Sequence, residues 1–386
     1  MVNKLVIRKD TITNAIVFLL ISLSSVLNVI NFFTNSIGLH TSIDTIIVYT
    51  LTIIILLIFI FFYRDNIHSS IIYVLLYSIF IILSVLIHGN FKYIFNLFSD
   101  LLTSIVYFWI GICLRDNSIT RRTIRISAIF SIVSKSFILL IQKYYFNYFI
   151  NDDMTASYLL LFPVILIYIS YFENHRIVDF VFSIIGTITL LFYGTRGPLL
   201  CLCVFFVVYQ ILFMKKKSFF IFLAFLAIII LWNNQTVDFF YKILYKIDLG
   251  RITDLIEKKM LLEDGGRRSL IDNCIKYIEQ SPFIGLGTYG DRLYLASFYI
   301  STNNVYPHNL FFELWMQYGI ILGSIILSSF FIYFIKIFLC SNRSKKIFMS
   351  SVFVIIIVKL MVTGSYLNEY LLYFLLGIMC QKESKR

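Results

Sequence analysis

The sequence predicts an all-α, polytopic integral membrane protein with about twelve transmembrane helices and one large extracytoplasmic loop that contains a helix. Three observations carry that prediction. Of 386 residues, 59% are hydrophobic and only 14% charged, with a mean hydropathy of +0.86; a soluble domain sits nearer half apolar and a quarter charged. The apolar residues form solid blocks such as 46–62, long enough to cross a bilayer, and lack the alternation of a membrane β-barrel. The basic residues gather at alternate ends of those blocks.

Taken in order, the spans are 13–33, 43–63, 70–88, 93–114, 126–146, 156–172, 177–193, 197–213, 218–232, 318–340, 347–364 and 366–381. Lys4, Arg8 and Lys9 precede the first block, and no small-residue cleavage site follows it, so it reads as a retained span. Alternating the loops puts Lys4, Arg8, Lys9, Arg64, Arg115, Arg121, Arg122, Arg125, Arg176, Lys215, Lys216, Lys217, Arg343, Lys345, Lys346, Lys382, Lys385 and Arg386 on one side. The opposite short loops hold Lys92, Lys143 and Arg196. Eighteen basic residues face three, and the positive-inside rule places both termini in the cytoplasm. The net charge of +12 therefore reflects insertion, not a nucleic-acid surface. Cys113, Cys201, Cys203, Cys340 and Cys380 lie in apolar segments and Cys274 in the loop, with no CxxC spacing that would signal a metal or redox site. No internal repeat is visible, which disfavours transporter folds built from duplicated halves.

The chain thus divides into spans one to nine (1–232), an extracytoplasmic loop (233–309) and spans ten to twelve (310–386). The loop holds nine basic and nine acidic residues. A polar loop of that length is either functional or unstructured. From 267 to 280, Leu270, Ile271, Cys274, Ile275 and Ile278 fall on one helical face, and Ser281-Pro282 ends the pattern. The expectation is a small folded cap on the membrane surface.

Few residues here could carry chemistry. Gly194-Thr195-Arg196-Gly197-Pro198 leaves about three residues for a turn between two apolar runs; the glycines allow close approach and Pro198 suits a helix start. That presents Arg196 beside a helix N-terminus at the outer interface, where an anion would bind. The plainer alternative is a snorkelling anchor. Gly265-Gly266-Arg267-Arg268 opens the loop helix and reads either as an anion site or as a solvated basic pair balanced by Glu263 and Asp264. His308 is the one histidine in the long loop, and an imidazole can take a proton from an attacking hydroxyl. It is followed by an amphipathic stretch, 310–318, with Gly319 and Gly323 interrupting the span beyond, as in a half-helix lying at the surface. Glu313 could orient a neighbour or complement the helix dipole, with Asn309 and Tyr306 as further supporting residues. Tyr289, Tyr294, Phe298, Tyr299 and Tyr306 could stack on sugars or anchor at the interface. Asp100 and Lys135, deep within spans, are candidates for a buried pair. Loop 34–42 is short and uncharged and Asp44 stands alone, which speaks against an acidic metal site, although Asp152-Asp153 stays open.

In order and spacing these strings resemble the O-antigen polymerase and O-antigen ligase superfamily: the Thr-Arg-Gly turn, the Gly-Arg segment with its helix and Ser281-Pro282-Phe283-Ile284-Gly285-Leu286-Gly287, and Pro307-His308-Asn309 leading to Tyr318-Gly319-Ile320-Ile321-Leu322-Gly323. The resemblance covers roughly 190–325. It departs from the family pattern at Ile271 or Asp272, where a tryptophan is expected. It implies a metal-independent, cofactor-free glycosyltransferase of the bacterial plasma (inner) membrane whose active site faces the periplasm or exterior. The donor would be an undecaprenyl-diphosphate-linked oligosaccharide. Arg196 and Arg267 would bind the diphosphate, with Arg268 the substitute for Arg267 in a shifted register, and His308 would activate the acceptor. The product class is surface polysaccharide, such as capsule or the O-antigen of lipopolysaccharide. Partners would be the lipid-linked donor and acceptor, membrane lipids, a chain-length regulator and a flippase. Polymerase is the favoured reading and ligase the alternative; a non-catalytic flippase would keep its polar groups deep in the bilayer.

Overall fold

The computed structural model describes residues 11–19, 21–22, 50–58, 63, 71–114, 118–146, 154–193, 195–213, 267–298 and 305–381. All regular structure among them is helical. After short helical stretches at 11–19 and 50–58 come α1 (Ile71–His88), a 3-10 turn (Phe91–Tyr93), α2 (Ile94–Cys113), α3 (Ser118–Phe146), α4 (Met154–Asn174), α5 (Ile177–Phe192), α6 (Arg196–Phe213), α7 (Arg267–Gln280), α8 (Gly290–Ala296), α9 (Leu310–Cys340), α10 (Arg343–Val362) and α11 (Tyr370–Met379). Among the described residues, five stretches are long and apolar enough to cross a membrane: Ile71–His88, Phe91–Cys113, Ser118–Ile141, Ala156–Asn174 and Leu310–Cys340. Shorter apolar helices are Ile177–Phe192, Gly197–Phe213 and Tyr370–Met379. The protein is a helical membrane protein. The expected span 218–232, most of 13–33 and 43–63, and loop residues 233–266 lie outside the described residues.

Two compact units partition the chain. One comprises Met1–Leu19, Leu39–Thr123 and Gly266–Arg386; the other Leu20–Gly38 and Ile124–Gly265. In the first, α2 and α11 approach backbone to backbone: a Cβ on Gly377 would lie 2.0 Å from the Phe108 carbonyl, and one on Gly111 would lie 2.2 Å from that of Phe374. Small residues are what allow such contact between helices in lipid, where there is no hydrophobic drive to press them together. Gln381 then closes the end of α2 by donating to the carbonyls of Gly111 (2.8 Å) and Leu114 (2.5 Å).

The same unit contains a junction that the sequence marked only as two glycine-bearing strings. α9 leaves helical geometry at Gly319 (φ 76°, ψ 164°), so carbonyls of the preceding turn lose their partners one turn on. The segment after α7 supplies new ones: Leu286 N–H donates to Met316 O (2.8 Å) and Gly287 N–H to Gln317 O (2.9 Å), while Ile320 N–H donates to Pro282 O (2.8 Å). Backbones meet so closely that a Cβ on Gly285 would sit 2.1 Å from Gln317 O. Of the two glycines expected to interrupt the span, only Gly319 does so; Gly323 stays helical and instead lets Leu314 O approach to 2.9 Å of its Cβ position. The C-terminal end of α1 and the turn after it hold the other side of this segment. Asn90 Nδ2 donates to Leu286 O (3.0 Å) and Thr288 O (2.9 Å), and Thr288 N–H donates to Ser84 Oγ (2.9 Å). Helix α7 occupies the range its periodicity predicted, and buries Leu270, Cys274 and Ile278 against Leu295 and Met316. Ile275, expected on that face, is exposed.

In the second unit α4 packs along α5, with Gly186 admitting Val164. The polar groups inside pair up, as apolar surroundings require. Arg125 Nε donates to Asp179 Oδ1 (2.6 Å), and Ser170 Oγ to Asp179 Oδ2 (2.7 Å). The buried pair expected of Asp100 and Lys135 resolves into separate partners: Asp100 Oδ2 accepts from Tyr289 OH (2.6 Å) and Lys135 Nζ reaches Ala156 O (3.5 Å).

Candidate functional site

His308 stands on the short segment leading into α9, with a left-handed backbone (φ 53°). Asn309 follows as N-cap, its Oδ1 accepting from Phe311 N–H (2.9 Å) and Phe312 N–H (3.3 Å). It therefore fixes the start of α9. The half-buried imidazole packs on Tyr306, ring centroids 4.1 Å apart. Its Nδ1 lies 3.3 Å from the carbonyl oxygen of Thr363, which also accepts from Tyr306 OH. A carbonyl can only accept, so Nδ1 carries the proton and Nε2 keeps its lone pair. Burial pulls the imidazole below its ordinary value; the Thr363 carbonyl opposes this and the charge of Arg267 adds to it. His308 is thus held neutral and ready to accept a proton at Nε2. Burial likewise pushes the Tyr306 phenol up to about 12, with the charge of Arg267 among the groups that work against the rise.

Arg267 and Arg268 open α7, both exposed. At a helix start, their guanidinium groups and the helix dipole favour an anion together. Arg267 is close enough for its charge to act on both His308 and Tyr306. Wholly buried, Glu313 accepts from Ser365 Oγ and from Tyr366 N–H (3.2 Å), and so holds the connection between α10 and α11.

A charged cluster that sequence reading passed over lies beneath. Arg292 is 5% exposed. Its Nη2 donates to Ser365 Oγ (3.0 Å), and its guanidinium carbon lies 4.3 Å from the Tyr289 ring centroid and 5.7 Å from that of Tyr306. Burial opposes its charge, but Asp291 and Glu313 outweigh burial and hold it charged. Burial raises the neighbouring Asp291 carboxyl, in spite of the Arg292 charge. Asp291 Oδ1 accepts from Gln317 Nε2 (2.7 Å), and Gln317 Oε1 from Tyr366 OH (2.5 Å). One signal was available: Asp291-Arg292 is the only charged pair between 280 and 312, and Glu313 and Gln317 share a helical face four residues apart.

Arg196 begins α6 in the other unit. The turn before it is anchored by Thr195 Oγ1 donating to Ser157 Oγ (2.7 Å), and Gly197 lies against Tyr158, whose hydroxyl would be 2.0 Å from a Cβ. Pro198 is the third helical residue, still within the first turn, where no N–H is needed. Gly194 lies outside the described residues. Among the described residues there is no group of three or more His, Cys, Asp or Glu side chains able to hold a metal ion.

Residues 181–328 match the family model described as O-antigen ligase. Over that segment the chain is similar to the O-antigen polymerase and ligase superfamily. No curated protein and no solved structure matches it. The matched segment runs from within α5 to within α9 and takes in Arg196, Arg267, Arg292, Tyr306 and His308.

Proposed function

We propose that the protein is a polysaccharide polymerase of the bacterial plasma membrane. It transfers glycan from undecaprenyl diphosphate to the next lipid-linked repeat unit, without a metal or cofactor. The observation that carries this reading is the neutral His308, tied at Nδ1 to Thr363 with Nε2 free to accept, beside the cationic start of α7. An acceptor hydroxyl attacks the anomeric carbon as its proton passes to Nε2. The bond from that carbon to the diphosphate oxygen breaks, and undecaprenyl diphosphate leaves with the electron pair. The leaving group needs positive charge, which Arg267 supplies. A preorganised donor to developing negative charge is worth roughly 3–4 kcal/mol by analogy with oxyanion holes, and a base about 10²–10⁴-fold. Arg196 is assigned to the diphosphate on the resemblance alone, and Arg268 is the substitute for Arg267. The site faces the periplasm or exterior with both termini cytoplasmic, and a flippase and a chain-length regulator act beside it.

The second reading is a ligase that moves finished polymer to another acceptor; the matched family model carries that description. Both readings use one donor chemistry and differ in the acceptor. His308→Ala and Arg196→Ala, checked for membrane insertion and followed by gel analysis of surface glycan, separate them. Single repeat units on the acceptor mark a lost polymerase, and long chains retained on the lipid carrier mark a lost ligase. Normal surface polymer in both variants overturns the site.

A further inference from the structure

The carbonyl that sets the His308 tautomer belongs to Thr363, which lies outside the matched segment, in the connection 363–369 between α10 and α11. A backbone carbonyl can fix an imidazole only if it is itself immobile. This one is held on every side. Thr363 and Gly364 N–H groups both donate to Lys359 O (2.8 Å each), ending α10. Two residues on, Ser365 Oγ donates to Glu313 and accepts from Arg292 Nη2. Tyr366 N–H donates to Glu313 Oε2, and Tyr366 OH is shared with Gln317 and Tyr318. At the far end Lys359 and Glu369 form an ion pair of 2.6 Å. The Arg292 guanidinium meets the stack from below, 5.7 Å from the Tyr306 ring, whose other neighbour is His308 at 4.1 Å.

From this geometry we infer that the connection 363–369 is the device that orients His308, and that Arg292 and Ser365 are positioning residues acting through it. The inference rests on His308 being the base of the proposed transfer. Ser365 is the keystone because a hydroxyl both donates and accepts: it donates to the buried Glu313 and accepts from Nη2 of the buried Arg292 at once, and so ties α8 and α9 to the connection. Releasing it frees the Thr363 carbonyl to move. His308 then loses its fixed acceptor and gains water. Of the charged and titratable groups around this ring, Arg267 from α7 acts on it directly and Tyr306 from its own segment packs on it, while Arg292 from α8, Glu313 from α9 and Glu369, itself paired with Lys359, act on Tyr306.

The test needs no identified sugar. Full-length protein in membranes is treated with diethyl pyrocarbonate across a pH series, and carbethoxylation of the His308 peptide is followed by mass spectrometry. Ser365→Ala and Arg292→Lys cut the same bond from opposite ends, so a folding defect in one leaves the other as the test. Both should move the reactivity midpoint upward, toward an ordinary imidazole, because the entry of water relieves burial, the largest cause of the present depression, by more than the loss of the Thr363 carbonyl lowers the midpoint. With lipid-linked repeat units purified from a strain lacking this chain, kcat should fall by about tenfold, less than the roughly 10²–10⁴-fold expected for loss of the base, with KM for the donor little changed. Unchanged midpoints in both variants overturn the inference and leave the catalytic reading standing. Full activity of His308→Ala overturns the catalytic reading whatever the midpoints do.

Discussion

A histidine is useful as a base at neutral pH only if it is uncharged and aimed, and His308 meets both conditions through its neighbours. Burial disfavours the imidazolium, and Arg267 disfavours it further. The folded value is therefore below the ordinary one near 6.5, and the base stays competent on the acid side of that pH. Removing the Arg267 charge takes away one of the two depressing influences. Arg267→Gln should thus move the acid limb of the pH–rate profile upward, toward 6.5, in addition to weakening donor binding. Profiles measured on membranes with extracted lipid-linked repeat units check this; an acid limb that stays put or moves down would mean that the two residues are not electrically coupled. The same sign appears in stability. The unfolded chain binds the His308 proton more readily than the folded one, so folding weakens as pH falls below about 6.5. His308→Gln should flatten that slope in thermal unfolding measured over the same pH range.

Among the elements, α9 is the one whose geometry was half legible. Pro307-His308-Asn309 marked the place where a helix follows, and the structure adds that Asn309 caps it. Two glycines announced an interruption, yet only one breaks the helix, because the break depends on which carbonyls the 282–287 segment reaches across to satisfy. That pairing links residues some thirty positions apart and has no local signature. At Gly319, φ 76° with ψ 164° is a region essentially reserved for glycine, and an added Cβ would meet Phe283 O at 2.4 Å. Gly319→Ala should lower stability by about 1–3 kcal/mol from the backbone strain alone. Gly285→Ala strikes the same backbone contact from the facing segment, so the double variant should cost less than the sum. Thermal unfolding of detergent-solubilised protein measures all three. Additive effects would show that the two glycines do not meet. Periodicity found α7 because one face is buried along its whole length; α8 has seven residues and offers too few turns to show a face, so Arg292 went unnoticed.

At the scale of the whole protein, charge asymmetry and hydropathy were enough to show a helical membrane protein, since both are summed over hundreds of residues. The buried polar layer escaped them because each member is unremarkable alone. Asp291, Arg292, Glu313, Gln317 and Ser365 acquire meaning only when three separate stretches of chain bring them into one apolar enclosure, where each must find a partner. The layer also bears on orientation. Beyond the Gly319 break, α9 runs 21 residues to Cys340, about 31 Å of helix, which matches the roughly 30 Å hydrocarbon core. The polar cluster borders one end of that crossing, and Arg343, Lys345 and Lys346 follow the other. Basic residues favour the cytoplasmic side, so the cluster should face outward. In a chain whose six cysteines are replaced by serine, Ser297→Cys, on an exposed position after α8, should react with a membrane-impermeant maleimide in spheroplasts. Arg343→Cys, which leaves Lys345 and Lys346 in place, should react only after the membrane is opened. Labelling of both without permeabilisation, or in the reverse order, would put the imidazole on the wrong face for a donor presented outside the cell, and a polymerase could not work there.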